Sequence, residues 1–161
     1  EMMHQARARL AQAGMPAYEI SNYAASGQEC RHNLVYWTGD SYIGLGPSAA
    51  SHVEGWRWKN RPHLGEWEAA IDEGRLPACE AEQLTSRQRA GELAMLRLRL
   101  SQGLDFADFT GRTGCDARSL FADQIQRLTR QGLLVQDGRG LRLTDGGLGV
   151  ADSVAGEFLR T

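Results

Sequence analysis

Six consecutive residues combine side chains that could hold a flat ligand or a metal ion: His32, Asn33, Leu34, Val35, Tyr36 and Trp37. A histidine ring nitrogen can ligate a metal ion, and an asparagine amide can donate and accept hydrogen bonds at once. Tyrosine and tryptophan present flat apolar faces with a polar tip. This set predicts a site for a flat, metal-bearing ligand such as haem. The alternative is a loop whose aromatic rings fill a core and whose histidine is a hydrogen-bonded polar group.

The segment before these residues predicts the scaffold that positions them. Apolar residues between 2 and 13 recur at helical spacing, and Gly14 stands where a helix C-cap is expected. Residues 18–23 alternate in the manner of a strand. A helix followed by a strand is the repeating unit of an α/β layer or barrel. We therefore expect residues 32–37 to form a loop after a strand.

The middle of the chain predicts four further elements in the order glycine-broken strand (41–51), short edge strand (56–58), helix (63–75) and irregular connector (75–84). Thr85 and Gln88 then have the spacing of a capping box. The leucines that follow predict one apolar face of a helix: Leu93, Leu96, Leu100 and Leu104.

The C-terminal part predicts short helices, a hairpin and a closing helix, which together indicate a winged-helix-like module. Asp105 and Asp116 are expected to begin helices. The pair Asp137-Gly138 is expected to form a tight hairpin turn with positive φ. Thr144 or Asp145 should begin the last helix.

Several motifs occur in a fixed order along the chain: Tyr18-Glu19-Ile20-Ser21-Asn22, His32-Asn33-x-x-Tyr36-Trp37, Tyr42-Ile43-Gly44-Leu45-Gly46, and Gly132-Leu133-Leu134 followed by Leu143-Thr144-Asp145. Together they resemble the oxygen-independent coproporphyrinogen III oxidase-like radical S-adenosylmethionine (SAM) family. The match is nearest to the haem chaperone branch, which carries the His-Asn-x-x-Tyr-Trp motif. The resemblance covers most of the chain.

This resemblance implies an α/β plus α+β fold. Residues 1–62 would be the C-terminal end of a partial (β/α) radical SAM barrel, residues 63–84 a helix and connector, and residues 85–161 a winged-helix-like C-terminal domain. Family members carry a Cys-x-x-x-Cys-x-x-Cys motif for a 4Fe-4S cluster, whereas the three cysteines here are 49 and 36 residues apart. We therefore expect a C-terminal part of a longer parent protein, inactive alone.

The resemblance also implies roles for four residues. His32 would ligate haem iron, Asn33 would orient the histidine or bond a propionate, and Tyr36 and Trp37 would stack on the macrocycle. The parent would use SAM and a 4Fe-4S cluster. Its function would be haem binding and transfer or oxidative decarboxylation of coproporphyrinogen III.

Partners follow from the same resemblance: haem or a porphyrinogen, the missing N-terminal half of the barrel, and haem-accepting proteins. It also allows peripheral membrane association of the parent, and exposed strand edges would favour a dimer. Three scattered cysteines fit a reducing, cytoplasmic compartment.

A winged-helix regulator that binds DNA is the alternative function. The predicted recognition helix, residues 116–130, carries nearly balanced charge, and the whole chain has a formal net charge of -2. DNA binding needs several phosphate contacts from basic side chains. The sequence therefore argues against a nucleic-acid partner.

Other polar residues have weaker claims to a site. Glu19 is expected to form an ion pair with Arg31 or Arg57, although a barrel carboxylate could also meet a ligand. Two ligands, Cys30 and His32, do not make a metal site. Gly44-x-Gly46 could let a ligand approach closely or could form a tightly packed strand. His52 is displaced by two positions from a histidine that many family members carry. The arginines at 87, 89, 97 and 99 are expected to form a solvated helix face.

Overall fold

The structure, a computed structural model, describes residues 2–159. Contacts group the chain into a larger unit, Glu1–Gly39 with Ala90–Thr161, and a smaller unit, Asp40–Arg89. The predicted division into family domains stays a prediction. Three terminal residues lie outside the described part: Glu1, Arg160 and Thr161. Of these, Glu1 belongs to the segment predicted as the first helix.

Two helices open the larger unit, and the strand predicted between them is absent from the described residues. Helix α1 spans Met2–Gln12 and α2 spans Arg31–Thr38. Gly14 follows α1 with φ of 78°, as a C-cap requires. Residues 17–23 turn back on themselves, joined by a single antiparallel bridge between Ala17 and Tyr23. The predicted strand was therefore wrong.

Glu19 explains why this segment turns. Its carboxylate accepts hydrogen bonds from the Ser21 N–H at 2.7 Å and from the Asn22 side-chain amide at 2.6 Å. Glu19 is 1% exposed, and buried carboxylates need such donors. Glu19 has a structural role, as the sequence favoured, but it fills this role through hydrogen bonds inside its own turn instead of the predicted ion pair.

The smaller unit contains an antiparallel sheet in the order β1-β2-β3. Its elements are β1 (Ala50–Val53), β2 (Trp56–Asn60), α3 (Leu64–Asp72) and β3 (Ala78–Gln83). The helix lies within the predicted 63–75 range. The strand predicted at 41–51 reduces to the start of β1, with Tyr42 adding only a single bridge to His52.

Two predictions for this unit were wrong because strand β3 could not be recognised from the sequence. β2 is the central strand rather than an edge strand, because β3 pairs along its other side. β3 lies in the segment predicted as an irregular connector. Its four C-terminal residues are exposed, three of them Glu or Gln, so the strand lacks the apolar alternation that marks a half-buried strand.

Helix α4, Ser86–Arg97, begins at the predicted capping box. The Thr85 hydroxyl accepts a hydrogen bond from the Gln88 N–H at 3.3 Å, and the Gln88 amide oxygen accepts one from the Thr85 N–H at 2.9 Å. The helix ends earlier than the leucine spacing predicts. The buried leucines of this stretch come from the helix, a turn and strand β4 (Leu104–Asp105), not from one helix face: Leu93, Leu98, Leu100 and Leu104.

The remaining elements are α5 (Phe106–Thr113), α6 (Ala117–Leu120), α7 (Ala122–Arg130), β5 (Leu134–Gln136), β6 (Gly140–Leu143), α8 (Asp145–Leu148) and α9 (Ala151–Gly156). Strands β4, β6 and β5 form a second antiparallel sheet in that order. Asp105, Asp116 and Thr144 cap helices through their side chains, as predicted. Among the described residues, no helix combines the length and the apolar character needed to cross a bilayer.

Three phenylalanines form the centre of the larger unit. The rings of Phe109 and Phe121 lie 6.1 Å apart, and those of Phe121 and Phe158 lie 5.0 Å apart, both edge to face. Phe121 and Phe158 are fully buried. Edge-to-face packing is favoured by the ring quadrupoles. We call Phe109, Phe121 and Phe158, with the apolar residues around them, the phenylalanine core.

The hairpin turn between β5 and β6 forms by a different mechanism from the predicted one. Gly138 does not adopt a positive φ. Instead, the Asp137 carboxylate accepts hydrogen bonds from the N–H groups of Arg139 at 2.8 Å and Gly140 at 3.0 Å. Aspartate side chains close turns in this way. The predicted turn at Asp137-Gly138 is therefore present, but the positive φ expected at Gly138 was wrong.

Candidate functional site

The motif residues 32–37 lie on a helix and not on the predicted loop. Cys30 precedes α2, and Gly39 follows it with φ of 71°. The Gly39 N–H donates to the carbonyls of Tyr36 and Val35, and the Thr38 hydroxyl donates to the Leu34 carbonyl at 2.7 Å. A glycine in this conformation satisfies carbonyls that a helix end would otherwise leave unpaired.

Because the segment is helical, the four candidate residues form two pairs with i, i+4 spacing. His32 and Tyr36 make one pair, which we call the outer edge of α2. The His32 Nε2 atom lies 3.1 Å from the Tyr36 hydroxyl, and the two rings are perpendicular with centroids 5.0 Å apart. His32 is exposed to solvent. An incoming ligand can therefore reach this imidazole.

Asn33 and Trp37 make the second pair, which we call the inner edge of α2. The Asn33 amide donates to the Tyr18 hydroxyl at 3.4 Å. The Trp37 ring packs under the guanidinium of Arg99, whose central carbon lies 4.6 Å from the ring centroid. The Trp37 Nε1–H is buried and has no hydrogen-bond acceptor among the described residues.

Two arginines contact the C-terminal half of α2. Arg99 also pairs with Asp152 of α9 at 2.7 Å. Arg112 of α5 donates to the Thr38 carbonyl at 3.3 Å, where a positive charge complements the helix dipole. The predicted solvated arginine face was wrong for its last two members, since Arg97 is 9% exposed and Arg99 stacks on Trp37.

Sequence reasoning missed Arg99 and Arg112 as neighbours of the motif. Both are more than 60 residues from α2 in the sequence, and no local pattern links them to it. It also missed Asn60, which is 4% exposed and donates to the carbonyls of Gly44 and Gly46 at 3.1 and 3.0 Å.

The outer edge meets the minimum requirement for haem iron, an exposed imidazole on a fixed helix. Its Nε2 atom is hydrogen-bonded to Tyr36, so iron would have to displace that hydroxyl or use Nδ1. The inner edge does not face the same way: at about 100° per residue, Trp37 lies about 140° around the helix from His32. The structure therefore brings His32 and Tyr36 together and separates them from Trp37.

The other candidates make no metal site in the described part of the chain, where no three His, Cys, Asp or Glu side chains form a group that could hold an ion. Gly44 favours the packing alternative, because an added Cβ would lie 2.2 Å from the Ala50 carbonyl oxygen. His52 faces Tyr42 with ring centroids 6.3 Å apart.

The carboxyl groups of Asp116 and Asp137 have lowered pKa values, and both serve turns or caps away from α2. The Arg118 side chain, its N–H and the Ser119 hydroxyl hold the pKa of Asp116 below its ordinary value. The N–H groups of Arg139 and Gly140 lower the pKa of Asp137. Hydrogen bonds to a carboxylate favour the charged form.

Comparison with known proteins identifies the family. Residues 84–150 match the family model of the HemN C-terminal domain. The heme chaperone HemW of Mycobacterium tuberculosis (strain CDC 1551 / Oshkosh) is 36% identical over 152 residues, which cover 94% of this chain and 37% of that protein. The heme chaperone HemW of Lactococcus lactis is 32% identical over 93% of this chain and 39% of that protein.

A solved structure shows the same fold. It is the coproporphyrinogen III oxidase HemN of Escherichia coli, described as a radical SAM enzyme. The TM-score is 0.73 and the sequence identity is 17%, and the match covers 99% of this chain and 40% of that chain. The chain thus spans about two fifths of the length of the proteins it matches. Its mixed α/β content and small antiparallel sheets agree with the predicted fold class. By sequence and fold, the chain belongs to the oxygen-independent coproporphyrinogen III oxidase-like radical SAM family.

Proposed function

We propose that the protein binds haem through the outer edge of α2 and transfers it to an acceptor protein, as a haem chaperone. The observation that carries the proposal is the exposed His32 imidazole, held beside the Tyr36 hydroxyl on a capped helix. The curated relatives described above are named heme chaperones. A single protein ligand on an open surface suits a cargo that must later leave.

In this proposal each motif residue has a distinct task. A neutral His32 nitrogen ligates the iron of the cargo haem. Tyr36 holds the imidazole in the absence of haem and is displaced from Nε2 when iron binds. Asn33 and Trp37 fix the helix from its other side, since their contacts are to Tyr18 and Arg99. The proposal therefore assigns iron binding to His32, control of its Nε2 atom to Tyr36, and support of the helix to Asn33 and Trp37.

We also propose the architecture of the whole protein. Residues 1–62 would complete a radical SAM barrel, whose remaining part would bind SAM and a 4Fe-4S cluster. Residues 85–161 would be a winged-helix-like domain, a proposal supported by the helices α4, α5 and α7 and by the β4-β6-β5 sheet. Haem-accepting proteins and a membrane surface would be the partners of the whole protein.

Oxidation of coproporphyrinogen III is the second candidate function, favoured by the fold shared with HemN. DNA binding has less support. In α7, Arg127 pairs with Glu157 at 2.7 Å, and just before α7 Arg118 pairs with Asp116 at 3.1 Å. Those arginines have carboxylate partners, which reduces the charge available to phosphates.

Haem titration tests the proposed function. Wild-type chain, His32→Ala and the control His4→Ala should be titrated with haem while the visible spectrum is recorded; His4 is exposed on α1. Loss of a group that merely orients a metal ligand costs about 10- to 100-fold in affinity. We expect His32→Ala to lose at least about tenfold and to change the spectrum, and His4→Ala to do neither. Equal spectra and affinities in all three proteins would exclude His32 as the ligand.

A further inference from the structure

We infer that Arg99 is a positioning residue for His32 and that it acts through the Trp37 ring. This inference rests on the proposed haem-binding function for its consequence, but its structural basis is independent of haem. The guanidinium of Arg99 lies over the Trp37 ring at 4.6 Å and pairs with Asp152 at 2.7 Å. Arg99 therefore joins the inner edge of α2 to α9.

The inference begins with what α2 lacks. The helix has eight residues, and none of its side chains is fully buried. Helices shorter than about 12 residues are marginal without tertiary contacts. Since Leu34 and Val35 are only partly buried, the polar and aromatic contacts of α2 contribute to fixing its rotation about its axis.

Of the three contacts described above that join α2 to other elements, that of Arg99 has the strongest geometry. The Asn33–Tyr18 hydrogen bond is 3.4 Å long and the Arg112–Thr38 bond is 3.3 Å long, both near the limit for a hydrogen bond. The Arg99 side chain is 24% exposed, and a cation over an indole is favourable when it is partly desolvated. Arginine is also suited to stack on a ring and pair with a carboxylate at the same time.

Trp37 transmits this restraint to His32 because both lie on the same short helix, five residues apart. If Arg99 is removed, α2 can rotate or fray, and the imidazole loses its fixed direction. The overall fold should survive, because the phenylalanine core does not include these side chains. The consequence is a haem site whose geometry depends on a residue 67 positions further along the chain.

A matched pair of variants tests the inference. Arg99→Ala removes the contact to Trp37, whereas Arg127→Ala removes an arginine that forms an ion pair of the same length, 2.7 Å, with Glu157 after α9. Arg99→Lys keeps the charge, and Asp152→Asn removes only the exposed partner of Arg99. Asp152 is 89% exposed, so its variant should fold even if Arg99→Ala does not.

The first readout is amide hydrogen exchange of α2 without haem. We expect exchange in Arg31–Thr38 to rise about three- to tenfold in Arg99→Ala, to rise less in Asp152→Asn, and to stay at the wild-type rate in Arg127→Ala. Arg99→Lys should restore only part of the protection, because lysine keeps the charge but has no planar group to stack on the ring. If α2 exchanges equally in all variants, or if Asp152→Asn is the only folded variant and leaves α2 unchanged, the inference is wrong.

The second readout is haem affinity with the visible spectrum. Arg99→Ala should weaken binding about three- to tenfold and broaden or shift the haem band, and Arg99→Lys should recover only part of both. Wild-type affinity and spectrum in Arg99→Ala would overturn the inference. Failure of the wild-type chain to bind haem would refute the proposed function instead, and the exchange measurement would still decide the role of Arg99.

Discussion

The phenylalanine core and helix α2 belong to the same compact unit but are held by different forces. Phe109, Phe121 and Phe158 are each at most 1% exposed and pack ring on ring. α2 has no fully buried residue, and its contacts with other elements include an arginine stack and two long hydrogen bonds. The difference indicates that stability and function depend on different regions: core changes should cost the most stability, whereas side-chain changes on the outer edge of α2 should mainly affect the site.

The largest expected effect comes from the core. Phe121→Ala should lower the free energy of unfolding by about 3–5 kcal/mol, because it removes a buried ring and leaves a cavity between two others. Denaturant unfolding followed by circular dichroism measures this loss. Leu159→Ala is the control, since Leu159 is 47% exposed and should change stability by less than about 0.5 kcal/mol. Similar losses in both variants would remove the distinction between core and surface.

The end of α2 should respond less strongly. Gly39→Ala should cost about 1–2 kcal/mol, because φ is 71° and an added Cβ would lie 2.8 Å from a Leu93 methyl group. Gly111→Ala is the matched control. It lies in α5 with open space around its Cβ position, and alanine should stabilise that helix by about 0.5–1 kcal/mol. Thermal unfolding of the two variants should therefore shift in opposite directions.

Tyr36→Phe should affect the site with little change in stability. The substitution removes the hydroxyl that occupies His32 Nε2 and leaves the partly exposed ring in place. Haem affinity should rise by about two- to fivefold, the scale of one partly exposed hydrogen bond. Haem titration measures the change. A loss of affinity would mean that the Tyr36 hydroxyl contacts bound haem directly.

The smallest effect concerns the hairpin turn and depends on pH. The N–H groups of Arg139 and Gly140 lower the pKa of Asp137 in the folded chain. A depressed folded pKa gives a stabilisation that is present above the unfolded pKa and lost as pH falls through the folded pKa. The stability difference between wild type and Asp137→Ala should therefore shrink in acid. A difference that is constant from neutral pH to pH about 2 would assign the turn to another residue.

Local signals in the sequence predicted the capped helices correctly. The Thr85–Gln88 box and the caps at Asp105, Asp116 and Thr144 depend on residues within three positions of one another. Such interactions can be predicted because they involve only residues that are close in the sequence. The motif pairs at 32–37 are also local, but they were not predicted, because these residues were expected to form a loop and not a helix.

Non-local pairing could not be predicted in this way. β3 carries mostly polar exposed residues, and its position against β2 follows from tertiary contacts rather than from its own pattern. The contact between Arg99 and Trp37 joins residues 62 positions apart. The four site residues could be named from the sequence, but their division into an outer and an inner edge required the structure.

Haem titration of His32→Ala beside Trp37→Phe tests the central claim most directly. The outer edge should bind the haem and the inner edge should only support the helix. Phe at 37 keeps an aromatic ring for Arg99 and removes an N–H that has no acceptor in the described structure. We predict that His32→Ala loses at least about tenfold in affinity, with an altered spectrum, while Trp37→Phe stays near wild type. Equal losses in the two variants would contradict the division of α2 into two edges.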